Sequence, residues 1–79
     1  MEYDLKKEIE ARQRIGGEFS MLREKRGLTQ QEVADILEIK VSNIVGIENG
    51  TYNVKFKQLE YYAEILQAKI RLIADEDKK

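Results

Sequence analysis

The sequence contains no cysteine, no histidine and no proline. Without cysteine there is no disulfide to staple a small fold, which fits a reducing compartment. With histidine missing too, Cys/His zinc sites, Ser-His-Asp triads and Cys-His nucleophile pairs fall away together. Without proline, low-complexity runs or internal repeats, nothing marks a linker. No apolar stretch approaches the length of a membrane span. The charge-dense stretch from Met1 to Ile15 lacks the apolar centre of a secretory signal, so a soluble, cytoplasmic protein is expected. An excess of one charge sign is also lacking, since 14 basic residues face 15 acidic ones. Residues 1–26 hold seven basic and six acidic, residues 27–59 three and four, and residues 60–79 four and five. A domain that binds nucleic acid ordinarily carries a basic face. Any affinity of this kind must come from a local patch, helix termini and dimerisation, with a modest salt dependence.

The 79 residues make one domain. A chain this short buries only about 60–65% of the surface its unfolded form exposes. Its core is therefore thin, and association with a second copy would add to it. Glycine supplies the punctuation. Glu2 to Arg14 is charge-rich, with Tyr3, Leu5, Ile9 and Arg12 at helical spacing, and reads as a short helix with a weak apolar stripe. From Ile15 the pattern firms: Ile15, Phe19 and Leu22 share a face, and Gly27 follows the basic run Arg23, Lys25, Arg26, which are stop signals. Thr29-Gln30-Gln31-Glu32 has the form of a capping box and opens a helix with Val33, Ala34 and Leu37 on its buried face. Ala34 is small where a second helix must cross closely.

Glu38-Ile39-Lys40 breaks the pattern, and a third helix runs from about Val41 to Asn49. Ile44 and Ile47 face inward, and Asn49-Gly50 ends the helix because glycine accepts positive φ. Asn53 is positioned to cap a fourth helix, about Val54 to Gln67, with Phe56, Leu59, Tyr62, Ala63 and Leu66 inward and Tyr61 outward. Lys69 to Ile73 then alternates polar and apolar, the period of a strand, before a solvated tail from Asp75. The chain thus divides into a helical extension (1–14), a helical domain (15–67) and a strand with a tail (68–79). Two short helices joined by a tight break over Ala34, Ile39, Ile44 and Ile47 have the makings of a helix-turn-helix, whose second helix keeps one face free. Such a helix fits the major groove in width.

The run Leu22-Arg23-Glu24-Lys25-Arg26-Gly27-Leu28-Thr29-Gln30-Gln31-Glu32-Val33-Ala34, followed by Ile44 and Ile47-Glu48-Asn49-Gly50, resembles the XRE/Cro-type helix-turn-helix domain of phage repressors and bacterial regulators. The resemblance covers about Ile15 to Leu66. It implies an all-α, lambda-repressor-like bundle of four to five helices, here with a short C-terminal β-strand. It also implies a homodimer on double-stranded DNA. Position by position, Gln30 matches a glutamine that contacts phosphate and buttresses the recognition helix. Lys40, Val41, Ser42 and Asn43 match the start of that helix, Gly46 a groove-facing position and Asn49 a phosphate contact. Lys55 and Lys57 are further phosphate candidates, and Arg23 with Glu48 matches a structural ion pair. The C-terminal alternation is similar to the strand of HipB-type antitoxins, which implies pairing of two copies through Ile70, Leu72 and Ile73.

Departures from the pattern point the other way. Glu38 stands where glycine is usual, Lys40 replaces a Ser/Thr cap, and Gly46 removes a long side chain. Val41 and Val45 place apolar surface outward, suited to thymine methyls or to a protein. Two functions are therefore carried forward. One is a sequence-specific transcriptional regulator, a repressor or antitoxin-type autoregulator, binding a palindromic operator through residues 41–49. The other is a protein-interaction module that has lost DNA, with a toxin or another protein as partner. No catalytic constellation, metal site or cofactor is expected.

Overall fold

The computed structural model describes residues 4–72. Among them are four helices: α1 (Leu5–Lys25), α2 (Gln30–Leu37), α3 (Val41–Asn49) and α4 (Phe56–Ile65). No helix is long and apolar enough to cross a membrane among the described residues.

Helix α1 begins at Asp4, whose side chain accepts from the backbone N–H of Lys6 at 3.0 Å. It does not stop near Arg14. The two stretches that the sequence separates are one helix, continuous through Gly16-Gly17. An interior glycine costs about 1 kcal/mol in a helix. Here Gly16 is buried against α3, and that packing outweighs the propensity. The helix ends in Arg26 and in Gly27, at φ +74°. Arg26 Nε reaches across the domain to the carbonyl of Leu66 at 2.7 Å, tying the two helix ends together.

The capping box forms as its residues dictate. Glu32 N–H donates to Thr29 Oγ1 at 3.0 Å, and Thr29 N–H donates to Glu32 Oε1 at 2.8 Å. Helix α2 ends at Glu38 in the left-handed region, φ 58° and ψ 42°. A residue with a Cβ pays roughly 1–2 kcal/mol there. Glu38→Gly is therefore expected to stabilise by about 0.5–1 kcal/mol after the extra entropy of an unfolded glycine is subtracted. A denaturation midpoint unchanged or lowered would mean the turn already relieves the strain.

Helix α3 starts at Lys40 with no side-chain cap bond and closes on Gly50 at φ 77°. Helix α4 is shorter than the sequence pattern suggests. Its cap position is Lys55, without a side-chain bond, rather than Asn53. Phe56, expected inward, is 64% exposed in the first turn. At the other end Gln67 turns to φ 57°, and Ala68 N–H donates to the carbonyl of Ala63 at 2.9 Å, which stops the helix.

The core takes side chains from all four helices: Phe19 from α1, Val33 and Ala34 from α2, Ile44 and Ile47 from α3, and Tyr62, Ala63 and, just past its end, Leu66 from α4. The Phe19 and Tyr62 rings lie 4.6 Å apart, tilted by 36°. Ile15, expected on the core face, is exposed, and Ile39 is only partly buried. The alternation after Lys69 forms no strand among the described residues; Ile70 and Leu72 are exposed, and Ile73 lies outside that range. A lone strand has no partner for its backbone groups, so one chain cannot supply this element.

Candidate nucleic-acid interface

Helices α2 and α3 meet through a three-residue turn. Its geometry is held by Ile39 N–H on the carbonyl of Ala34 at 3.0 Å and Asn43 N–H on that of Lys40 at 2.9 Å. Ile44 (0% exposed) and Ile47 (3%) anchor α3 from below. At about 100° per residue, Ser42, Gly46 and Asn49 fall on the side away from these two isoleucines. Ser42 and Asn49 are exposed, as are Lys40, Lys55 and Lys57, while Asn43 and Val45 are partly buried. Lys57 Nζ lies 5.8 Å from the centroid of the Tyr61 ring, so its charge also has an aromatic partner.

Two residues of the expected interface sit otherwise. Val41 is partly buried against the core, so its apolar surface is only in part outward. Gly46 is not open to a groove. It is buried, and a Cβ built on it would stand 2.7 Å from Cβ of Tyr52. The loop after α3 folds back over it, with Thr51 N–H and Tyr52 N–H both donating to its carbonyl at 2.9 and 3.2 Å.

The interface is buttressed by a buried polar cluster centred on Glu48, near the end of α3. Arg23 donates to it through Nε (2.7 Å to Oε2) and its terminal nitrogen NH2 (3.1 Å to Oε1). Gln30 Nε2 donates to Oε1 at 3.0 Å, and the Tyr62 hydroxyl to Oε2 at 2.5 Å. The same guanidinium donates to the carbonyl of Leu28 at 2.8 Å, just before α2. One carboxylate thus joins α1, α2, α3 and α4. Burial opposes ionisation of Glu48, but the hydrogen bonds from Arg23, Tyr62 and Gln30 outweigh it and hold the carboxyl below its ordinary range. The hydrogen bond to Glu48 raises the Arg23 pKa. Burial, then the bond to Glu48, pushes the Tyr62 phenol above its ordinary value. Gln30 thus commits one amide N–H to the carboxylate of α3.

The part played by Tyr62 has no signal in helical spacing, which marks it only as core. A buried phenol needs a hydrogen-bond partner, and that requirement alone pointed toward a polar neighbour. Among the described residues no cluster of acidic side chains could hold a metal ion.

Residues 14–75 match the helix-turn-helix domain family. The chain belongs to this helix-turn-helix family. It is also similar to a competence pilus inhibition repressor of Acinetobacter baylyi (strain ATCC 33305 / BD413 / ADP1), with 36% identity over 59 residues. That alignment takes in 75% of this chain and 54% of the relative, so the chain spans about half the length of that curated relative. The family match begins at Arg14, within α1, so the first turns of that helix precede the matched residues.

Proposed function

We propose that this helix-turn-helix protein is a sequence-specific DNA-binding transcriptional regulator that sets α3 into the major groove. The observation that carries the reading is the two-sidedness of α3. Its isoleucines are sunk in the core while Ser42 and Asn49 stand open on the other side. Short polar side chains at the start of such a helix suit base edges. Lys40, Lys55 and Lys57 are exposed cations flanking it and suit phosphate. The relative named as a repressor supports regulation by repression. Gln30, half free of its bond to Glu48, suits a phosphate at the start of α2.

On this reading the chain acts as a homodimer on a palindromic operator, in the compartment that holds the DNA. Ile70 and Leu72, exposed in the single chain, together with Ile73, pair with a second copy as an intermolecular ribbon. An antitoxin-type autoregulator with a toxin partner is one form of this function. Removing the residues after Gln67 is expected to halve the mass seen by light scattering; an unchanged mass would remove the ribbon.

The direct test is selection from a pool of random-sequence duplexes, followed by titration at two salt concentrations. The intact chain is expected to enrich a two-fold symmetric sequence. Ser42→Ala and Asn43→Ala should each cost about 1–3 kcal/mol and relax preference at single base pairs, whereas Lys55→Ala should weaken every sequence alike. Absence of binding even at low salt would favour a protein-interaction module instead, in keeping with the net charge of −1.

A further inference from the structure

We propose that Tyr52 contacts DNA bases, replacing from the loop the side chain that Gly46 withholds from the outward face of α3; this rests on the DNA-binding reading above. Gly46 lies two residues on from Ile44, about 200° round the helix and so away from the core. Its neighbours on that stripe, Ser42 and Asn49, are exposed, but Gly46 is buried. The burial comes from the loop. A Cβ at position 46 would meet Tyr52 Cβ at 2.7 Å, Thr51 Oγ1 at 3.5 Å and Tyr52 Cγ at 3.6 Å. The loop is fixed there by two backbone N–H groups on the Gly46 carbonyl. Glycine and tyrosine therefore form one unit: any side chain at 46 would displace the aromatic residue.

The exchange puts a larger group where a helix side chain would have stood. Tyr52 is partly buried: it packs against the core and over Gly46 of α3, while some of it remains open to solvent. Tyr62, by contrast, is fully buried and commits its hydroxyl to Glu48. The solvent-open part of a tyrosine beside that stripe can pack on a thymine methyl and hydrogen-bond a base edge. It does so without charge. A chain with 14 basic and 15 acidic residues has little electrostatic affinity to draw on, and a neutral aromatic supplies contact area and sequence preference instead.

The test uses the intact chain and the duplex pool described above, with Tyr52→Ala, Tyr52→Phe and Gly46→Ala compared to the native protein and each checked for helix content by circular dichroism. Tyr52→Ala is expected to lose discrimination at one or two base pairs of each half-site, roughly five- to a hundredfold, with the salt dependence unchanged because no charge is removed. Tyr52→Phe should lose less at the same pairs, and Gly46→Ala should shift preference at those pairs by displacing the ring. A uniform loss over all sequences, or an unchanged preference and affinity in Tyr52→Ala, overturns the assignment. Should the alanine variant fail to fold, Tyr52→Phe decides, and an unaltered preference there overturns it. A native chain that enriches no duplex overturns the DNA-binding reading and this assignment together, whereas enrichment by the native chain with unaltered variants overturns only this one.

Discussion

Glu48→Ala is expected to destabilise the domain by about 3–5 kcal/mol, the usual cost of leaving a buried charge without its partner. The carboxylate accepts from Arg23, Gln30 and Tyr62, and its loss strands a guanidinium whose side chain is 9% exposed. Small domains hold only about 5–15 kcal/mol in all, so this one change removes a large part of the total. Chemical denaturation followed by circular dichroism measures it. The charges should be strongly coupled. Arg23→Met combined with Glu48→Gln removes both, and is expected to cost clearly less than the sum of the separate changes. Additive costs would mean that the ion pair is incidental to the fold. The same cluster sets a pH dependence. Glu48 titrates below its unfolded range when folded, so its contribution is present above that range and is lost as pH falls through the lowered value. Tyr62 is shifted the opposite way. Its contribution is complete below the unfolded phenol value and disappears as pH rises toward the raised one. Stability should therefore fall at both extremes, and Tyr62→Phe should flatten the alkaline limb and, by removing one of the bonds that lower Glu48, shrink the acid limb as well.

What could be read in the chain divides by the range over which each feature is decided. The Thr29–Glu32 box and the closing Gly50 are written in adjacent residues, and both appear where the local chemistry puts them. The pairing of Ile44 with Ile47 needs only helical periodicity. The Glu48 cluster does not: its members come from four helices, and Arg23 and Glu48 stand 25 residues apart. Helical spacing marks Tyr62 as core without naming the carboxylate that its hydroxyl meets. The division of α1 at Arg14 fails for a related reason, because propensity counts the two glycines against a helix and is blind to what presses on one of them. Gly46 is a third case. A glycine on an outward stripe looks like a missing contact until the loop that covers it is in place. The proposed ribbon through Ile70 to Ile73 would draw its hydrogen-bond partners from a second copy, so a single chain cannot display it.

The two adjacent glycines of α1 should respond to the same substitution with opposite signs. Gly17→Ala meets nothing within 4 Å. It is exposed in a helix interior, so it gains the helix preference of alanine, up to about 1 kcal/mol. Gly16→Ala gains the same preference and loses far more. Its Cβ would overlap the carbonyl oxygen of Ile47 and stand 2.7 Å from that of Glu48. Both are backbone atoms near the end of α3, so neither can swing aside as a side chain would. Relief requires α1 and α3 to separate, which would pull Arg23 from Glu48 and loosen the support beneath the outward face. Overpacking of a core costs about 1–3 kcal/mol and at times more. The upper part of that range or beyond is expected here, because the obstruction is main chain. Thermal denaturation of the two single variants beside the native chain reads the contrast directly. Equal midpoints for Gly16→Ala and Gly17→Ala would mean that the close approach of α1 to α3 is not what holds α3 in place. A lowered midpoint for Gly16→Ala beside a raised one for Gly17→Ala would tie the position of α3 to the absence of a single methyl group.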